Sequence, residues 1–185
     1  MSAIPPLNQK EFAQQMAENL GTLLVQVAVH ETGTLQTVWK RLLDDKSQVA
    51  LFSEILVLLV AITDRFAFTK YGDPLRNIMM NAVVTFARNN VANQKHFGTT
   101  TPEREQHFER LFADRMGKYG SCSSIMGEGA NTLVFTGGSL IAETFLKDIP
   151  EPQFQNVVFE TCKVISTMLL ASMKVEPIKT LLAKE

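Results

Sequence analysis

The sequence is poor in the features that announce a chemistry. It holds two cysteines, Cys122 and Cys162, in 185 residues, too few for a disulfide framework. No Cys-x-x-Cys occurs, and no Glu is followed three residues later by His. Those gaps argue against a zinc ribbon and a ferritin-like di-iron bundle. His30–Glu31 opens like a zinc-protease helix, but Thr34 stands where the second histidine ligand belongs. The remaining histidines, His96 and His107, are far from each other in sequence, so no metal site is expected. Neither a Gly-x-x-x-x-Gly-Lys phosphate loop nor a Gly-x-Ser-x-Gly nucleophile turn is present. Gly127–Glu128–Gly129 and Gly137–Gly138 read as loop and packing glycines.

Charge of one sign is also lacking. Eighteen basic residues against nineteen acidic ones leave a formal charge of −1, so nucleic acid is not the expected partner on electrostatic grounds. As a DNA-reading unit, residues 1–45 supply one long and one short helix with only Lys10, Lys40 and Arg41 as cations, too few for a recognition helix. Long apolar runs are missing too. The greasiest stretch, 52–72, is uninterrupted only from Ile55 to Ile62, where a membrane span needs about 20 apolar residues. The N-terminus has neither the basic region nor the apolar core of a secretion signal, and there is no Asn-x-Ser/Thr. A cytoplasmic protein with reduced thiols is expected. Cys122, in a Gly/Ser-rich loop near Lys118, is expected to be an unreactive loop thiol; Cys162 falls on an apolar stripe and reads as core.

What the sequence does have is helical periodicity. Asn8, Glu11 and the Leu7/Phe12 pair are the signature of a capped and stapled helix start, followed by Met16, Leu20, Leu23 and Val27 at steps of four or three. This helix is expected to fade near His30–Gly33. Thr34 would cap a short second helix bearing Leu35, Val38 and Leu42, and Ser47 would cap a third at 48–71. Asp73–Pro74 starts a fourth and Thr101–Pro102 a fifth. Residues 119–131 form a loop. The stretch 131–138 fits a helix containing Gly137–Gly138 or a short strand, and helix is preferred because a lone strand has no partner. Phe154, Val158, Cys162, Ile165, Leu169 and Met173 mark a last long helix, with a tail helix at 177–184. The expected fold is all-α: a single-domain bundle over 1–185, of about seven or eight helices, around a central apolar helix at 48–71.

The central helix contains Glu54, Asp64 and Arg65. Glu54 and Arg65 share a face but lie roughly 16 Å apart along the axis, and Glu54 and Asp64 roughly 15 Å apart and about 80° round it. They cannot pair, and the two carboxylates cannot act on one bond. Each therefore needs a partner from elsewhere: Lys40, Arg41, Arg76 or Arg88 for the acids, Asp114 or Glu160 for Arg65. The simplest reading is structural salt bridges. The sharper one is a polar pocket or interface lined by Glu54, Asp64, Arg65, Arg88 and His96.

No catalytic residue is identified, no cofactor is indicated, and whether the chain is an enzyme stays open, with non-enzymatic preferred. The function expected is a binding or regulatory module that self-associates as a homodimer through Trp39, Leu42, Leu43 or Leu181. The alternative is a sensor or carrier that encloses a small apolar ligand or haem, for which His96 is the one axial candidate. Eight methionines and twelve phenylalanines suit such a cavity, and suit an ordinary core better.

Overall fold

The computed structural model describes residues 6–93, 100–127, 129–151 and 153–172. Five helices are present among them: α1 (Pro6–Trp39), α2 (Asp45–Ala92), α3 (Thr101–Gly120), α4 (Leu133–Phe145) and α5 (Gln153–Ser172). No β-strand occurs among the described residues; one parallel bridge joins Ser124 to Thr132. No described helix is long and apolar enough to cross a membrane.

Seven or eight helices become five because two expected breaks do not end a helix; the tail at 177–184 lies outside the described residues. The first is at His30–Thr34, where α1 continues to Trp39. The hydroxyls of Thr32, Thr34 and Thr37 donate to the carbonyls of Ala28, His30 and Gly33 at 2.8, 3.2 and 3.0 Å. Satisfied within the turn behind them, these threonines extend the helix rather than cap a new one. The second is at 72–74, where the chain bends but does not stop. Gly72 has φ 69° and ψ −178°, a conformation that an L side chain rarely adopts, and helix resumes at once through Pro74.

The bend brings Asp64 and Arg76 together. On a straight helix they would be roughly 18 Å apart, yet Arg76 Nε and Nη2 both reach the Asp64 carboxylate at 2.7 Å. Asp73 accepts a third bond from Arg76 at 3.2 Å, and the guanidinium lies 5.4 Å from the Phe68 ring centre. These bonds hold the Arg76 guanidinium pKa above its ordinary value, chiefly through the Asp64 hydrogen bonds.

Helix starts fall near the expected places, each shifted. α2 begins at Asp45 and is capped by Asp44, whose Oδ1 accepts the Ser47 N–H at 2.7 Å; Ser47 lies inside the helix it was expected to cap. For α3 the cap is Thr100, one residue before Thr101, with its N–H and hydroxyl both donating to Glu103. Thr132 caps α4 by accepting the Phe135 N–H at 3.1 Å, so the stretch that fitted helix or strand is helix from Leu133.

The first half of α2 runs through the middle. Every residue from Leu51 to Thr63 is buried, and α2 is covered by α1, α3 and α4, while α5 packs on α1 and α4. Two glycines let α4 fit this arrangement. A Cβ at Gly137 would lie 2.6 Å from the Leu58 side chain, and one at Gly138 would lie 2.5 Å from Cys162 Sγ and 3.3 Å from its backbone N and Cα. One glycine therefore brings α4 onto α2 and the next brings it onto α5. In α1, Gly33 is an exposed helical position with nothing within 4 Å of where a Cβ would be.

These glycines respond oppositely to alanine. Gly33→Ala is expected to stabilise by about 0.4–1 kcal/mol through the unfolded chain. Gly138→Ala is expected to cost about 1–3 kcal/mol by overpacking. Thermal denaturation should show Tm rising in the first and falling in the second. A rise in both would contradict the close approach of α4 to α5.

Candidate functional site

Glu54 lies near the start of the buried stretch, 3 % exposed, and an unpaired carboxylate there would be very costly. Its partner is Arg115 of α3. Arg115 Nε donates to Glu54 Oε2 at 2.7 Å and Nη2 donates to Oε1, a two-point fork. Arg115 Nη1 reaches Asp114, which also accepts from Lys118 at 3.0 Å. The chain of charge thus runs from the core outward, from Glu54 through Arg115 and Asp114 to the surface Lys118. The Glu54 hydrogen bond, foremost among several causes, raises the Arg115 pKa. Tyr119, one turn on from Arg115, is 1 % exposed, and its hydroxyl has no hydrogen-bond partner among the described residues. Burial, and then the charge of Glu54, push its pKa far upward, so it stays neutral.

Arg65 has a different role. Its Nη2 donates to the carbonyls of Cys122 at 2.8 Å, Tyr119 at 3.2 Å and Gly120 at 3.4 Å. A cation on the last carbonyls of α3 satisfies orphan acceptors and complements the negative end of the helix dipole. The loop that follows is further pinned by Ser123 N–H to the Asn131 carbonyl at 3.1 Å, and by the N–H groups of Leu133 and Val134 to the carbonyls of Ser124 and Ile125 at 2.9 and 3.1 Å. Cys122, expected in an open loop, is 4 % exposed with Sγ 3.3 Å from Thr136 Oγ1.

The structure does not gather the candidate pocket residues into one place. Glu54 pairs with Arg115, Asp64 with Arg76, and Arg65 with three carbonyls, while Arg88 sits 3.5 Å from Glu109. His96 lies outside the described residues. Among the other candidates, Trp39 donates its indole N–H to Thr161 Oγ1 at 2.9 Å and stacks on Phe145 at 6.3 Å between ring centres, so it joins α1 to α4 and α5. Leu43 is half-buried, Leu42 is 94 % exposed, and Leu181 lies outside the described residues. No group of three or more His, Cys, Asp or Glu side chains among the described residues is placed to hold a metal ion.

The residue that sequence reasoning missed is Arg115, and a signal was available. Phe108, Phe112, Arg115 and Tyr119 follow one another at helical steps of four, three and four, so an arginine interrupts the apolar stripe of α3 and must meet an acid on the helix that the stripe faces.

An open groove lies between the loop after α3, α4 and α5. It has a volume of about 440 Å³ and is lined chiefly by Met126, Val134, Phe135, Phe159 and Cys162. Phe159 is 67 % exposed and Phe135 39 %. Burial pushes the Cys162 thiol up to about 11, so at neutral pH it is a protonated, weakly nucleophilic wall of the groove.

The buried and surface members of the charge chain should differ sharply. Arg115→Met leaves Glu54 buried and unpaired and is expected to cost about 3–5 kcal/mol. Lys118→Ala is expected to cost below about 1 kcal/mol, as exposed pairs do. Urea denaturation measures both; a similarly small loss in each would contradict the structural role of the Glu54–Arg115 pair. Comparison of the chain with protein-family models, with curated proteins and with solved structures returns no match in any of the three.

Proposed function

We propose that the chain is a non-enzymatic helical binding module that self-associates through the face formed by α4 and α5. The observation that carries this reading is the exposure of Phe159 beside the apolar groove that it helps to line. A phenylalanine held two-thirds in water forfeits about 25 cal/mol for each Å² of apolar surface left unburied. Leu170, 51 % exposed, is eleven residues further along α5, within about 20° of the same line. Knob and groove lie side by side on one face, which is the self-complementarity a two-fold dimer requires. A reducing compartment such as the cytoplasm suits the two unpaired thiols.

The charged groups of the central helix support the same reading, because each is engaged in holding the fold together. Glu54 and Asp64 spend both carboxylate oxygens on arginine forks. An apolar ligand seated in the α4–α5 groove, rather than inside the bundle, is the competing occupant.

Sedimentation velocity over a wide concentration range, with native mass spectrometry beside it, tests the proposal. A species of twice 20.6 kDa is expected, weakened by about thirtyfold or more in Phe159→Glu if this ring is a central contact of about 2 kcal/mol. Leu42→Glu, in the connection between α1 and α2, is expected to leave the dimer intact. Loss of the dimer in Leu42→Glu alone would move the interface to that end of the molecule. A monomer at every concentration, or added mass that denaturation removes, would overturn self-association in favour of an isolated chain or a bound ligand.

A further inference from the structure

We propose that the segment after α5, residues 173–185, folds back onto the α4–α5 face of its own chain and competes with a second copy for that face. The competition, though not the docking itself, rests on that face being the self-association surface.

The apolar stripe of α5 starts where the described chain stops. α5 ends at Ser172, two residues beyond Leu170, which is 51 % exposed. Cys162 and Phe159, which α5 contributes to the groove, lie roughly 15 and 20 Å back from Ser172 along the helix axis. Residues 173–185 lie outside the described residues; their sequence is MKVEPIKTLLAKE. Pro177 has no N–H to offer the carbonyl of Met173, and it disfavours helical backbone at Glu176. The sequence therefore calls for a break in helix before Ile178. Residues 173–176 span about 13 Å when extended, enough to cross the 8–10 Å or so between the axes of packed helices.

The stretch beyond the break has the pattern of a surface-bound helix. On a helix from 177 to 184, Ile178, Leu181 and Leu182 fall within an arc of about 100°, with Lys179 and Lys184 to either side. A helix that short is unstable alone in water and needs an apolar surface to form on. Its length, roughly 12 Å, equals the distance from Leu170 back to Cys162 along α5. Running antiparallel to α5, it would bring the two leucines over the groove beside Phe159, the exposed ring that otherwise stays in water. A tail held by the same chain meets this face at an effective concentration on the order of millimolar, which a second copy matches only in concentrated solution. Self-association is thereby set by how often the tail lifts away.

The test uses the native thiols of the full chain. Cys162 is half-buried in the groove and Cys122 is 4 % exposed, so alkylation with N-ethylmaleimide, located by peptide mass, reports cover over the groove at Cys162 and global opening at Cys122. Labelling is followed on dilute, monomeric protein, and association by sedimentation velocity. Leu181→Glu and Ile178→Glu, each in the full chain, are expected to speed Cys162 labelling about tenfold if the docked state outweighs the open one by ten to one. Both copies must open to associate, so the same variants should tighten the dimer by about a hundredfold. Thr180→Glu, on the opposite side of the tail helix, should change neither, and Cys122 should label slowly throughout. Unchanged Cys162 labelling in both variants, with the dimer as in the wild type, would overturn the docked tail and leave the self-association reading standing. Faster labelling in a chain that stays monomeric at every concentration would support the docked tail and overturn both the self-association reading and the competition. A weaker dimer in Leu181→Glu and Ile178→Glu would place these side chains in the contact between copies and overturn the proposal.

Discussion

From Leu51 to Thr63 every residue of α2 is withdrawn from water, and a helix buried on all sides cannot be satisfied by one neighbour. That constraint decides the arrangement of the rest. α1, α3 and α4 all pack against α2. α4 reaches α2 only because Gly137 has no side chain to hold it away from Leu58. α5 then packs outside on α1 and α4, with Trp39 bonded to Thr161 and stacked on Phe145 where the three meet.

The polar residues inside this frame fix which helix packs where. Apolar packing alone tolerates sliding and rotation, whereas a buried fork has one register. Glu54 with Arg115 sets α3 against the first half of α2, and Arg65 receives the end of α3 about three turns further along. Together they hold α3 at two points along one helix. Asp64 and Arg76 do the same within α2, bracing the bend that Gly72 permits. Buried ion pairs are weak evidence for stability but can select one geometry among several, and in this chain all three charged groups of the central stretch serve that end.

The all-helical architecture and the buried stretch of α2 were legible in the sequence because both rest on local periodicity: apolar steps of three and four, and a run from Ile55 to Ile62 with no polar face. The Asp64–Arg76 pair was within reach, since Arg76 was among the few cations available. Helix number was less legible. Glycine and threonine near residue 33 read as a break, while the threonine hydroxyls in fact bond back along their own helix. Tertiary choices were hidden more deeply. Whether Glu54 would meet Arg88 or Arg115 depends on which face of α3 turns inward, and only the arginine within the stripe of α3 hinted at it. Trp39 looked available for an interface because sequence alone does not disclose that α4 and α5 return to cover it.

If the buried stretch of α2 is what the other helices are assembled around, its amides should open only when the whole protein does. Native-state hydrogen exchange measures this directly. The account predicts that the N–H groups from Leu51 to Thr63 exchange with a free energy equal to that of global unfolding, and that those of α3 and α5 exchange at or below it. Exchange of the 51–63 amides through a partial opening, while α1 or α5 stayed protected, would contradict it.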